Sequence, residues 1–318
     1  GRRVSGADGP SDGALDVAST GPRDADRVLA ERVSEARGFV EERLGAGRWS
    51  WRRLAYSAEG TLVLHFARGK LAVVAKCYAD RPERGARAQA ALGQLMACAP
   101  PSLRVPSPLA WDAGRGLLLM EALGGRALAA VRPASEQAAM RRVGRALRAL
   151  HESGIDLGPP LCLADHVRDL VRPTPAALVA FAPDAAETVA AFEERVRAHD
   201  VREAPSVPLH RDFQLRQLFD QGDAIGVVDW DDCATGDPAF DLAYLTTYLR
   251  THFGPVDAAR GIEGVLEGYA PDDGLTGRLP LYAAFNALRR ACRRLRLRDA
   301  GWEMELRWMV GLLRDSLR

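Results

Sequence analysis

Apolar residues along the chain recur first at helical spacing, then at strand spacing, then at helical spacing again. Leu29, Val33, Ala36, Val40 and Leu44 follow Asp24, a candidate cap, at intervals that predict an amphipathic helix. From Trp51 to Tyr78 the pattern is that of strands, with Thr61–Phe66 and Leu71–Tyr78 flanking a hairpin turn at Ala67-Arg68-Gly69-Lys70. A helix over 86–96 precedes a loop rich in proline (Pro100, Pro101, Pro106, Pro108). Leu117–Met120 then read as an apolar strand ended by Gly124-Gly125. Met140, Val143, Leu147 and Leu150 mark the next helix, which ends near Gly154, and 184–199 suggest another. Short strands at 207–209 and 224–228 interrupt a run of helices that closes with 239–251, 257–268, 280–297 and 302–317. The pattern predicts an α+β protein: a strand-rich N-terminal lobe over 24–122, a mainly helical C-terminal lobe over 123–318, and a cleft between them. Residues 1–23 carry no apolar period and read as a disordered leader.

Composition changes this picture little. At 318 residues, 47% hydrophobic and 27% charged, the chain can bury a substantial core. A formal net charge of +1 gives no global pull toward nucleic acid or a membrane. No apolar run approaches the roughly 18 residues of a membrane span, and the N-terminus is too polar for a secretory signal. Five scattered cysteines without a Cys-x-x-Cys pair point to free thiols and a cytoplasmic setting. Only two of the 43 basic residues are lysines, Lys70 and Lys76. A lysine kept in so arginine-rich a chain marks a place where a compact point charge matters.

The chemistry concentrates in one segment, His210-Arg211-Asp212-Phe213-Gln214-Leu215-Arg216-Gln217, followed by Val227-Val228-Asp229-Trp230-Asp231. An Asp lies five residues before an amide side chain, and a second Asp follows at the end of the next short strand. That is the spacing of a kinase active site. Phosphoryl transfer needs positioned phosphates, a divalent metal and an oriented hydroxyl. Asp212 is the candidate to orient the acceptor and take its proton. Gln217 and Asp229 are candidate oxygen ligands for Mg2+, a hard cation. Trp230 is expected beneath the loop and Asp231 facing the cleft.

Together with Gly236-Asp237-Pro238-Ala239-Phe240-Asp241-Leu242-Ala243, these motifs resemble the aminoglycoside phosphotransferase family of small-molecule kinases. The likeness spans roughly residues 50–300, and its specific part is 209–243. It implies a protein-kinase-like fold, ATP and Mg2+. One departure is that Gln217 stands where the family has Asn; it offers the same amide oxygen one methylene further out. By the same resemblance, Val73-Val74-Ala75-Lys76 is the strand bearing a phosphate-contacting lysine. The helix glutamate that normally steadies it is not at the expected place in the 86–96 helix, so the ion pair is missing, supplied by Glu83, or replaced by a hydrogen bond from Gln89. Leu118–Leu123 resembles the adenine-binding hinge, through the Glu121 carbonyl and the Leu123 amide. Tyr56–Gly60, with Ser57 and Gly60, resembles the loop over the phosphates. Asp241 is expected as a cap or catalytic-loop anchor, and His151 as a cap or core histidine.

The acceptor is less legible. On 280–298, Leu281, Phe285, Leu288, Cys292 and Leu295 form a buried stripe, flanked by Arg289, Arg293 and Arg296 on one side and Arg290 and Arg294 on the other. These arginines either pair with Glu303 and Glu305 on the next helix or line an acceptor pocket. So cationic a helix fits polycationic aminoglycosides poorly. Three readings follow: an ATP-dependent kinase of an alcohol on a small metabolite, antibiotic or biosynthetic intermediate; a kinase of Ser or Thr in a precursor peptide; or an inactive nucleotide-binding module that regulates a partner. The acceptor therefore carries a hydroxyl on a small molecule or a peptide. Oligomeric state is left open.

Overall fold

The structure, a computed structural model, describes residues 22–56, 61–78, 81–199 and 205–318. It divides into two compact units, one ending at Gln89 and including Ser107–Ala122, the other made of Ala90–Pro106 and Leu123–Arg318. Residues 90–106, expected in the N-terminal lobe, thus group with the second unit. The expected leader falls almost wholly outside the described residues.

In chain order the first elements are α1 (Pro22–Leu44), β1 (Ser50–Tyr56), β2 (Thr61–Arg68), β3 (Leu71–Tyr78), α2 (Pro82–Cys98), β4 (Leu103–Arg104), β5 (Pro108–Asp112) and β6 (Leu117–Glu121). Five of these strands form one antiparallel sheet in the order β1-β2-β3-β6-β5. Burial alternates along β2, where Leu62, Leu64 and Phe66 point inward. Arg68 pairs with Leu71, so Gly69 and Lys70 alone make the turn, with Gly69 left-handed at φ 61°. The apolar face of α1 covers this sheet: Ala36, Phe39 and Val40 are fully buried against Leu64, Val73, Ala75 and Leu119. Burying a side chain such as Phe39 stabilises by about 1.5–3 kcal/mol. The helix starts at Pro22, two residues before the cap expected from sequence, because proline's fixed φ suits a first turn.

The second unit adds β7 (Arg126–Ala127), α3 (Gln137–His151), β8 (Pro160–Leu161), α4 (Leu163–Leu170), α5 (Pro175–Phe181), α6 (Ala186–Ala198), β9 (Val207–Leu209), β10 (Leu218–Asp220), β11 (Ile225–Val227) and β12 (Ala234–Gly236). Four long helices finish it: α7 (Ala239–His252), α8 (Pro255–Tyr269), α9 (Asp273–Leu297) and α10 (Trp302–Ser316). Its short strands make two small sheets, β4-β11-β10-β7 and β8-β12-β9. Parallel pairing of β4 with β11 is what draws the preceding segment into this unit.

One expectation fails by a full two turns. α9 begins at Asp273 rather than at Pro280, because the Asp272 side chain caps it, accepting the Leu275 N–H at 2.7 Å. Pro280 is interior. Downstream, Phe285, Leu288 and Cys292 are fully buried and Leu295 nearly so, as the stripe requires, whereas Leu281 at its start is only half-buried. α3 and α8 approach so closely that a Cβ on Gly144 would strike the Val265 carbonyl. Among the described residues no helix is long and apolar enough to cross a membrane.

Candidate active site

The hairpin β10–β11 sets the site's geometry. Leu218 pairs with Val227, and just outside that pair the Val228 N–H donates to the Gln217 carbonyl at 3.0 Å. The eleven residues between Gln217 and Asp229 are therefore a hairpin whose open end holds both side chains together. The Gln217 amide Nε2 donates to Asp229 Oδ2 and to Asp212 Oδ2, each at 3.1 Å. All three residues expected to form the centre converge.

Asp212 accepts more bonds than sequence reasoning anticipated. The Gln214 amide donates to both of its oxygens, at 3.1 and 3.0 Å, and the Tyr244 hydroxyl donates to Oδ1 at 2.5 Å. Tyr244 sits on α7, and burial followed by the Asp212 charge pushes its proton affinity up, so it stays a donor. Neither Gln214 nor Tyr244 was singled out from sequence. Tyr244 lies one turn beyond Asp241 on the same helix, and only that spacing could have pointed to it.

Beneath these side chains the loop is tied down by Asp241, which has no exposed surface. Its Oδ2 accepts the His210 N–H at 2.7 Å and its Oδ1 the Arg211 N–H at 2.8 Å. Burial alone would raise the Asp241 proton affinity; bonds from His151 and the His210 backbone more than offset it and hold the carboxyl below its usual range. His151 Nε2 lies 3.4 Å from Asp241 and its Nδ1 2.8 Å from the Tyr269 hydroxyl. Asp241 thus anchors the loop and His151 is a core histidine. The His210 ring reaches the Val228 carbonyl at 2.9 Å and packs edge-on against Trp230, 4.6 Å away, which joins loop to hairpin. Asp237, just before α7, accepts the Ala239 N–H at 2.9 Å and receives Arg278 of α9 at 2.8 Å. Asp231 is buried, at 8% exposure, rather than open.

Two residues here adopt left-handed backbone without being glycine: Arg211 at φ 66° and Asp229 at φ 71°. Such positions cost about 1–2 kcal/mol each, and persist because the surrounding bonds dictate them.

The other candidates are placed as follows. Lys76 is 7% exposed on β3, its Nζ 5.8 Å from the centre of the Tyr78 ring. Glu121 ends β6; its N–H donates to the Ser107 carbonyl at 2.9 Å and its exposed carboxylate accepts the Ser107 hydroxyl at 3.1 Å. Gln89 is half-buried on α2 and Glu83 exposed in its first turn. Leu123, half-buried, lies over Gly226 of β11. Ser57 and Gly60 lie outside the described residues.

The donor set suits a hard cation, since two carboxylates lie within hydrogen-bond range of one amide. It is Gln217 Nε2 that faces them, and half a turn about the soft terminal torsion presents Oε1 instead. Among the described residues no group of three or more His, Cys, Asp or Glu side chains could hold a metal. A cation here would take Asp229 and Gln217 and complete its shell with phosphate and water oxygens.

The α9 arginines divide. Arg294 pairs with Glu305 at 2.6 Å and with Asp299 at 2.7 Å, as a solvated face would. Arg289 and Arg290 turn instead to α7: the Arg289 guanidinium lies 5.4 Å from the Tyr244 ring centre, and Arg290 reaches His252 at 3.1 Å.

An antiparallel sheet unit, a helical unit and an Asp-x4-Gln loop beside an Asp-bearing hairpin define a kinase-like α+β protein. The model of the phosphotransferase enzyme family (APH) matches residues 51–277, and the chain belongs to that family. No curated protein sequence matches it. Solved structures share the fold at low identity. The choline/ethanolamine kinase family protein from Mesorhizobium loti is 19% identical, with TM-score 0.60 over 90% of this chain and 95% of that one. Aminoglycoside phosphotransferase APH(4)-Ia is 16% identical, with TM-score 0.63 over 91% and 98%. Amicoumacin kinase hAmiN, solved with AMP-PNP, Ca2+ and Ami, is 14% identical, with TM-score 0.64 over 91% and 96%.

Proposed function

We propose that this protein transfers the γ-phosphate of ATP to an alcohol of a small molecule. The observation that carries the reading is the hydrogen-bonded convergence of Asp212, Gln217 and Asp229. Asp212 accepts the proton of the acceptor hydroxyl as its oxygen bonds to the γ-phosphorus and the bond to the ADP oxygen breaks. Tyr244 and Gln214 hold the Asp212 carboxylate at a fixed angle, so little reorganisation accompanies the transfer. Mg2+, when bound through Asp229 and Gln217, supplies charge neutralisation at the phosphates. Lys76 is the candidate for the nucleotide phosphates, with Glu121 and Leu123 for the base and Gln89 for steadying Lys76. Solved neighbours carrying AMP-PNP with Ca2+, or ADP with spectinomycin, support a nucleotide and a divalent cation here.

The test is Mg2+-dependent conversion of ATP to ADP with phosphate appearing on an alcohol. Asp212→Asn should abolish transfer while ATP binding, followed by calorimetry, is kept. A variant as active as the parent would refute the assignment, and a chain that never binds ATP would refute the function.

A further inference from the structure

A cluster of two guanidiniums and a buried histidine near the Asp212 loop plays no part in the mechanism above. Phe240 and Tyr244 lie one turn apart on α7, and each carries a guanidinium over its ring: Arg211 at 5.9 Å from the Phe240 centre and Arg289 at 5.4 Å from that of Tyr244. The two guanidiniums lie near enough that the Arg289 charge, after burial, works against the Arg211 charge. The His166 ring, with no exposed surface, lies 4.3 Å from Phe240 and 6.3 Å from Phe285, the residue one turn before Arg289. Arg211 donates from Nη1 to the Asp232 carbonyl at 3.3 Å. Its Nε and Nη2, Arg289 Nη1 and both His166 ring nitrogens are buried and have no hydrogen-bond partner among the described residues.

A guanidinium keeps its charge at any physiological pH and offers five donors, so a buried one normally has acceptors on all sides. Two set beside each other with donors unmet repel, and this arrangement is costly unless an anion bridges them. Asp232, Asp169 and Asp241 all place negative charge toward Arg211, but the fully buried one, Asp241, is committed to the His210 and Arg211 backbone. Tyr244 links the cluster to the catalytic carboxylate: its ring lies under Arg289 and its hydroxyl bonds Asp212.

Resting on the phosphotransfer reading, we propose that the acceptor is an anionic alcohol. Arg211 and Arg289 grip its carboxylate or phosphate group, and its hydroxyl lies about one tyrosine length away at Asp212. The planar forks of the two guanidiniums match either acid group in paired hydrogen bonds. A polycationic acceptor would meet like charge at this wall.

The test uses the full chain and three probes of one carbon skeleton: glycerol, glycerate and glycerol 3-phosphate. Calorimetry with Mg2+·ATP runs in parallel. One or both anions should bind saturably while glycerol does not, and the tighter anion names the acid group. Arg289→Gln should weaken the anion by about tenfold or more, and Arg289→Lys, which keeps charge without the fork, should recover only part of it. Wild-type binding keeps the test decisive if a variant fails to fold. Equal binding of glycerol and the anions, no anion binding, or an Arg289→Gln defect confined to ATP would each overturn the proposal. ATP binding without anion binding removes the anion site alone. Anion binding without ATP binding supports the site and removes the phosphotransfer reading beneath it.

Discussion

Replacing Asp241 by Asn tests how the loop over 210–217 is held. In the parent, one oxygen takes the His210 N–H at 2.7 Å and the other the Arg211 N–H at 2.8 Å. Asparagine keeps one acceptor and turns an NH2 group toward the second N–H. One charge-assisted bond of about 1.5–3 kcal/mol is lost, and a buried donor is orphaned at a further ~1–3 kcal/mol. The neutral amide escapes part of the cost of burying a charge, so the net destabilisation settles near 3 kcal/mol. Arg211, at φ 66°, loses the acceptor that holds its left-handed backbone, and the loop relaxes toward ordinary geometry. Asp212 follows in sequence, and a shift of about 1 Å at a reacting group lowers kcat by roughly a hundredfold. Urea denaturation gives the first quantity and steady-state kinetics the second, with ATP affinity largely kept. A loss under about 1 kcal/mol with kcat within twofold of the parent would refute the anchoring argument.

Four further expectations follow from packing and charge. Tyr244→Phe removes the 2.5 Å bond to Asp212 without changing ring volume, so kcat should fall about tenfold at unchanged ATP affinity; an unaffected kcat would exclude Tyr244 from the site. Gly144→Ala should destabilise by about 3 kcal/mol, because the Val265 carbonyl and the Tyr269 nitrogen, 2.7 Å from the new Cβ, are backbone and cannot yield. Gly277→Ala on α9, with nothing within 4 Å, should stabilise by up to about 1 kcal/mol, and melting curves of the pair would expose any error in either sign. Burial, then the Arg211 charge, hold the His166 pKa down at about 3 against an ordinary 6.5. The unfolded chain protonates first on acidification, so this site's stability is complete above about pH 6.5 and declines below it, by up to ~1.4 kcal/mol per pH unit. His166→Leu should flatten that slope, and parallel slopes in parent and variant would disprove the assignment.

Legibility in the sequence tracked how local each feature is. Gln217 and Asp229 could be read because one hairpin joins them, and a hairpin's register is written in consecutive residues. The strands β2, β3 and β6 alternate or run apolar over five to eight residues and were read nearly to their ends. Strands of two or three residues, such as β4, β7 and β12, are too short to show any period and exist only through their partners. Tyr244 and Arg289 reach the site through the packing of α7 on α9, across more than 30 residues of chain, and no local pattern announces that. The start of α9 reads two turns late because its first turns, 273–279, show no clear apolar period, whereas the Asp272 cap that opens it acts through one side-chain bond.

Asp229 has a consequence for how the protein could change under selection. Its backbone at φ 71° and ψ 59° is one that glycine adopts without strain. Asp229→Gly would relieve that strain, raising resistance to heat while abolishing the proposed metal site. A population screened for thermal survival alone would drift toward glycine at this position and lose its activity. Turnover and heat tolerance are therefore opposed at this one residue, and only selection on activity keeps an aspartate there.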